Sequence, residues 1–188
     1  MTQRDWNGEW IDGRWDFLAG ERERLRVAAS MIGRYGPGRL VDLGSGDGQL
    51  LHHLDPSRTP RCLCVDLSRD ALRRLPQIPG IDTETMVADL ESFAPGPQAA
   101  DALSCLEILY YLPAPAEILT RWVRACPGVR AVVISWADPE RFPAWRSPVA
   151  ALRRSVDALG WPLLSAEAVE QEGQRWSVAA FRPVACHG

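Results

Sequence analysis

The sequence contains no lysine: its 21 strongly basic side chains are all arginine, accompanied by three histidines. That absence excludes a Schiff-base lysine, a pyridoxal phosphate anchor and the lysine of a Walker loop. Cysteine is sparse and odd in number, five in 188 residues, with no paired CxxC clusters, which argues against a zinc site or a disulfide framework. Cys62 and Cys64 alternate within an apolar run and are expected on one face of a strand as small hydrophobes. Long apolar runs are missing as well. None approaches the roughly 20 residues that span a bilayer, and the charged, tryptophan-containing start lacks the apolar stretch of a signal peptide. The expectation is a cytoplasmic protein with no membrane partner. Nor is there excess positive charge: a formal net charge of −3 and a pI near 5.6 speak against gripping a phosphate backbone. Small molecules, not nucleic acid, are the expected partners.

What is present has the balance of an ordinary globular chain, 46% hydrophobic and 24% charged, at a length suited to one well-filled α/β domain. After a polar, tryptophan-rich entry from Trp6 to Asp16, residues 20–34 carry Leu25, Ala28, Ala29 and Ile32 at helical spacing. Gly36, Pro37 and Gly38 break the chain, and the apolar run Leu40 to Leu43 leads directly into a glycine loop and a helix. Cys62 to Val65 reads as the next strand. Ser68 can cap a helix running to Leu75, where Pro76 stops it. Glu84 to Ala88, Ala102 to Leu106 and Ala131 to Trp136 have the look of buried parallel strands, with a helix from Ala116 to Ala125 between the last two. Val149 to Leu159 is helical in spacing, and Trp161 to Val169 with Trp176 to Phe181 flank a turn at Glu172 and Gly173. The expected fold is α/β: a Rossmann-like, doubly wound, mostly parallel seven-stranded sheet ending in an antiparallel hairpin.

The strongest local signal is LVDLGSGDGQLL, in which Asp42 ends a strand and Gly44, Gly46 and Gly48 follow at alternate positions. Glycines there allow unusual backbone angles and bring the main chain close to a ligand. A dinucleotide fingerprint would place its third glycine where Gln49 stands. Charge separates the possibilities independently. From Leu40 to Ser57 the chain carries Asp42, Asp47 and Asp55 and no arginine, an environment that repels a pyrophosphate and attracts a ligand bearing sulfonium and ammonium groups, while helix-end N–H groups can still receive a carboxylate. S-adenosylmethionine has that distribution of charge. A structural turn that binds nothing is the alternative for the loop taken by itself.

At these residues the chain resembles the class I S-adenosylmethionine-dependent methyltransferases, over roughly residues 38–136. VDLGSGDG resembles the family's first motif, and the resemblance implies that Gly44, Ser45, Gly46 and Gly48 line the methionine part of S-adenosyl-L-methionine, with Asp42 supporting the loop or contacting its ammonium. CVDLS resembles the second motif: Asp66 is implied as acceptor for the ribose hydroxyls, about twenty residues after the loop, with Leu67 packed on the adenine. VADLESF resembles the third, with Asp89 accepting the adenine amino group and the Leu90 N–H facing a ring nitrogen. DALSCLEILYYL resembles the segment after the fourth strand. It implies that the backbone near Cys105 and Leu106 reaches the cofactor's amino-acid end, while Glu107 and Tyr111 face the methyl-transfer site. Family members often end this segment Glu-His-Leu; here Tyr110, Tyr111 and Leu112 stand, so a histidine base is absent. Taken by themselves, Asp66 could be a simple strand-end acid, Glu107 a helix-capping carboxylate and Tyr111 a packed ring.

The implied organisation is a single domain over 1–188, with a lid and helix at 1–35, the cofactor core at 36–136, and a substrate-side helix and hairpin at 137–188. Methyl transfer to an oxygen or nitrogen of a small molecule needs positioning above all. A neutral amine needs no base; for a hydroxyl, Glu107, Tyr111 or Asp138 could serve. His52 and His53 are expected on the surface of the helix after the loop. Trp6, Trp10 and Trp15 are expected either to form a lid, with Arg14 near the cofactor carboxylate, or to cover the sheet edge as core. Trp136 and Trp145 follow the fifth strand, on the ligand-binding edge. The pattern of Asn or Asp before Pro-Pro-aromatic that accompanies amide or adenine methylation is missing from SCLEIL, and no metal site is expected. A cofactor-binding subunit without transferase activity and a nicotinamide oxidoreductase are the competing functions, the second opposed by glycine spacing and charge.

Overall fold

The computed structural model describes residues 7–9, 11–12, 22–138 and 146–184. Strand β1 (Arg39–Leu43) is the third strand of a seven-stranded sheet, flanked by β2 (Arg61–Asp66) and β3 (Asp82–Val87) on one side and by β4 (Ala102–Leu106) and β5 (Ala131–Ala137) on the other. These five run parallel. The closing hairpin, β6 (Leu163–Gln171) and β7 (Gln174–Phe181), turns back so that β7 lies antiparallel between β5 and β6. The chain builds outward from β1 to β3, then crosses to β4. Beyond the carboxyl ends of β1 and β4, where the direction of building reverses, an open α/β sheet leaves a crevice that the connecting helices do not fill.

Period-two alternation along the buried strands divides the core into two layers. Leu40, Cys62, Cys64, Ala102, Val133 and Val178 face helix α1 (Arg22–Tyr35), which buries Leu25, Ala28 and Ile32 against them. Val41, Leu43, Leu103, Val132 and Ile134 face the opposite layer, formed by α3 (Pro115–Ala125) and α4 (Arg146–Ala158) through Leu119, Trp122, Leu152 and Val156. Trp122 is wholly buried, and its indole N–H donates to the Phe93 carbonyl at 3.0 Å, which removes the cost of an unpaired donor. Cys62 and Cys64 share a face with their sulfurs 3.8 Å apart, as free, buried residues.

Three elements depart from the sequence expectation. The helix capped by Ser68, α2, is a single turn, Arg69–Leu72. Its cap is formed as expected, Ser68 Oγ accepting from the Ala71 N–H at 3.1 Å. The chain then tightens into i→i+3 bonds, Arg74 to Ala71 and Leu75 to Leu72, because Pro76 disfavours a helical conformation at the residue before it. After the glycine loop, Gln49–His53 forms a short 3-10 helix in place of an α-helix. Asp55 and Pro56 leave it little more than a turn. Finally, β3 was expected to be buried but is an exposed edge strand, with Met86 at 44% and Val87 at 38% exposure. Asp82 and Glu84 along it supply the charge that discourages further pairing.

Candidate functional site

The glycine loop leaves β1 at its carboxyl end and is fastened to the end of β2. Gly44, Gly46 and Gly48 have φ of 73°, 56° and 78°, left-handed values that side chains oppose. At Gly44 space is also decisive: a Cβ would stand 2.6 Å from Cγ1 of Ile108. The N–H groups of Gly44 and Ser45 both donate to the Val65 carbonyl, at 2.8 and 3.1 Å. Asp66, the last residue of β2, completes the fastening by accepting from the Gly46 N–H at 2.9 Å and the Ser68 N–H at 2.7 Å, one bond on each oxygen. Burial pushes the Asp66 carboxyl above its ordinary range, opposed by these backbone donors.

Asp42 lies inside the sheet beneath the loop, 3% exposed. It accepts from Ser104 Oγ of β4, its register neighbour, at 2.6 Å. Burial raises its carboxyl to about 6, against the lowering effect of Ser104 and of the Arg24 charge and with a further push from Asp66. Asp89 and Leu90 follow β3, where the Ala88 N–H donates to the Asp66 carbonyl at 3.0 Å and brings this segment alongside the second motif. Asp89 Oδ1 accepts from the Glu91 N–H at 2.9 Å; the carboxylate is exposed while Leu90 is buried. Leu67 is half-buried beside Asp66.

On the other side of β1, β4 ends in buried Cys105 and half-buried Leu106. Burial drives the Cys105 thiol well above its ordinary range, so it remains protonated. The next residue, Glu107, has φ of 59°, a conformation that costs a side-chain-bearing residue about 1 to 2 kcal/mol. This bend swings the chain into a 3-10 turn, Leu109–Tyr111. Glu107 then accepts from Ser135 Oγ at 2.8 Å and from Tyr110 OH at 2.5 Å, one bond per oxygen. Tyr110 is pushed strongly upward by burial and by Glu107, and Tyr111 up to about 12 for the same reasons, with Glu9 contributing. The two rings stand 5.0 Å apart, tilted by 56°.

The structure thus gathers Asp42, the loop, Asp66, Leu67, Cys105, Leu106, Glu107 and Tyr111 on one sheet edge, with Asp89 and Leu90 beside it. Asp138 is engaged elsewhere, 3.5 Å from Arg175 Nε. His52 is exposed and His53 half-buried, on the 3-10 helix. Trp6, Trp10, Arg14, Trp15 and Trp145 lie outside the described residues. Asn7 is within them and accepts from Ser68 Oγ at 2.8 Å, which ties the N-terminal helical segment to the β2 end of the site. Four residues were missed from the sequence: Arg24, Ser104, Ser135 and Tyr110. A signal existed for three of them. Arg24 occupies the apolar stripe of α1 four residues before Ala28, and each serine interrupts an apolar strand.

Over residues 14–182 the chain matches the family described as a methyltransferase domain. It belongs to the class I S-adenosylmethionine-dependent methyltransferases. Solved structures share the methyltransferase's fold at low identity. Magnesium protoporphyrin IX methyltransferase from Synechocystis PCC 6803, with bound S-adenosylmethionine, is 15% identical over 89% of this chain and 81% of its own, with a TM-score of 0.65. The N-methyltransferase NodS from Bradyrhizobium japonicum WM9 is 16% identical over 87% and 96%, at 0.67. The complex between the Haloferax volcanii Trm112 methyltransferase activator and the putative methyltransferase holds a chain 15% identical over 95% of this chain and 97% of its own, at 0.69. No curated protein sequence matches the chain.

The cofactor of this methyltransferase is S-adenosylmethionine, and the residues present suit it. Ser45 Oγ is buried without a hydrogen-bond partner among the described residues, the state of a hydroxyl waiting for a ligand atom. The Gly44 to Gly48 cradle would be filled by side chains, and Asp42, Asp66 and Glu107 stand at or just beyond the carboxyl ends of β1, β2 and β4, carboxylates of the sign that suits a ligand bearing a sulfonium and an ammonium. Among the described residues no group of three or more His, Cys, Asp or Glu could hold a metal ion, and no helix is long and apolar enough to cross a membrane.

Proposed function

We propose that this methyltransferase transfers the methyl group to an oxygen or nitrogen of a small molecule, without a dedicated side-chain base. When bound, S-adenosylmethionine supplies an electrophilic methyl: the acceptor's lone pair forms the new bond in line as the carbon–sulfur bond breaks and its electrons remain on sulfur. The chain's residues bind and orient. In this assignment Gly44, Ser45, Gly46 and Gly48 hold the methionine part, Asp66 takes the ribose hydroxyls with the lone pairs its backbone donors leave free, and Leu67, Asp89 and Leu90 surround the adenine. The backbone of Cys105 and Leu106 meets the amino-acid end, with Asp42 beneath. Glu107 and Tyr111 face the reacting methyl.

The observation that carries the absence of a base is the state of the groups nearest the transfer position. Glu107 already receives a donor on each oxygen, and Tyr111 keeps its proton to about pH 12. Positioning alone can lower such a barrier by about 7 to 11 kcal/mol. An acceptor that is neutral at neutral pH, or that sheds its proton to water after transfer, fits this arrangement. The test has two stages. S-adenosylhomocysteine at 100 times its Kd is expected to stabilise the fold by about 2.7 kcal/mol, seen as a rise in Tm, while NAD leaves Tm unchanged. Methyl-labelled cofactor incubated with fractionated metabolite extracts is then expected to label a low-molecular-weight product. Label that enters only protein or nucleic acid would contradict the small-molecule assignment.

A further inference from the structure

Arg24 is an arginine in a place where arginine is rare: 4% exposed, on the core-facing stripe of α1, with its guanidinium 5.9 Å from the Trp176 ring. Its Nη1 donates to Ser135 Oγ at 3.2 Å, and Ser135, 1% exposed, donates in turn to Glu107. The polarity of this chain is fixed by chemistry. A guanidinium can only donate, so Ser135 must accept from it, and the single hydroxyl hydrogen is left for the carboxylate. Ser135 grips the same residue a second time, its carbonyl accepting the Glu107 N–H at 3.3 Å. The held residue has a left-handed backbone, and the bend it makes seats Ile108 against Gly44 of the cofactor loop.

We propose that Arg24 is a positioning residue for the amino-acid end of the cofactor: acting through Ser135, it holds Glu107 in its left-handed bend and so keeps the end of β4 and Ile108 set against the glycine loop. The proposal rests on the methyltransferase site described above. Helix α1 is thereby joined to the site by a buried polar relay, although it lies in the layer beneath the sheet.

Two probes separate this role from a purely structural one. S-adenosylhomocysteine carries the amino-acid end and 5′-methylthioadenosine lacks it. By calorimetry, R24M is expected to weaken the first about tenfold, the size of one hydrogen bond to a charged group, and the second less than about twofold. S135A, which removes the middle link and disturbs packing less, should give the same selective loss, and R24K should recover part of it. Because Arg24 acts through Glu107, the double variant R24M/E107Q should bind no more weakly than E107Q. Additive losses would mean that Arg24 acts by a route other than Glu107, on the ligand itself or through its charge on Asp42, and equal losses for both probes would mean that it only stabilises the fold; either result overturns the proposal. The 13Cα shift of Glu107 in the unliganded protein reads the relay without a ligand and should move out of the left-handed range in R24M and S135A. An unchanged shift overturns the relay. Wild-type protein that binds neither probe would sink the site assignment, a failure distinct from that one.

Discussion

Asp42→Asn should make this protein more stable at neutral pH relative to wild type than it is in acid. The cause is the raised carboxyl of Asp42, about 6 in the folded chain against an ordinary 3.8. Between those values the unfolded chain has released the proton that the folded protein still holds, so stability falls as pH rises from about 4 to about 6, and the whole cost is present above that. Two pH units at about 1.4 kcal/mol each give about 3 kcal/mol, and at 3% exposure little of it is screened by solvent. Asparagine keeps an oxygen to accept from Ser104 but carries no charge into the sheet. Its NH2 group introduces its own penalty of about 1 to 3 kcal/mol if unpaired. That penalty does not vary with pH, so the measurable quantity is the change in the stability difference between the two proteins. Urea unfolding at intervals from pH 4 to 8 should show the difference moving by about 3 kcal/mol in favour of asparagine, with most of the change below pH 6.5. Other groups titrate in both proteins and cancel, apart from Asp66, whose coupling to Asp42 broadens the transition. A difference that stays constant with pH would falsify the claim that a desolvated carboxylate is stored here. If the charge serves the cofactor ammonium, the same variant should bind S-adenosylhomocysteine more weakly even as its stability relative to wild type rises with pH, a trade of stability for function.

Asp66→Ala removes the acceptor for the Gly46 and Ser68 N–H groups along with the assigned ribose contact; calorimetry should show S-adenosylhomocysteine affinity falling by about 1.5 to 3 kcal/mol, and unchanged affinity would place the ribose elsewhere. Gly44→Ala forces a side chain into φ of 73° and to 2.6 Å from Ile108, so thermal unfolding should report a loss of about 1 to 3 kcal/mol together with loss of cofactor binding. Deleting residues 1–16 removes the Asn7 bond to Ser68 and the tryptophans at 6, 10 and 15. Turnover on the identified acceptor should suffer more than Tm. A truncated protein that is largely unfolded at room temperature would assign those tryptophans to the core instead, where each would be worth about 3 to 5 kcal/mol against alanine.

Local chemistry made much of this protein legible from its sequence. A run such as Leu40 to Leu43 followed by Gly44, Gly46 and Gly48 can do little but leave a buried strand in a tight turn, since few other residues tolerate those backbone angles beside a ligand. The acids at strand ends, the Ser68 cap and the Glu172–Gly173 turn were readable for the same reason: each depends on neighbours a few positions away. Tertiary structure decided what depends on distant partners. That β3 lies at the edge, and that β7 inserts between β5 and β6, follows from which strands find each other, not from their own composition. The relay from Arg24 to Ser135 spans 111 positions and that from Ser135 to Glu107 spans 28. No local pattern announces such pairings. Glu107 shows the boundary most clearly: its type and place were visible in SCLEIL, but its left-handed bend, its two donors and the buried arginine behind them exist only because α1, β4 and β5 pack together and exclude the water that would otherwise solvate each group separately.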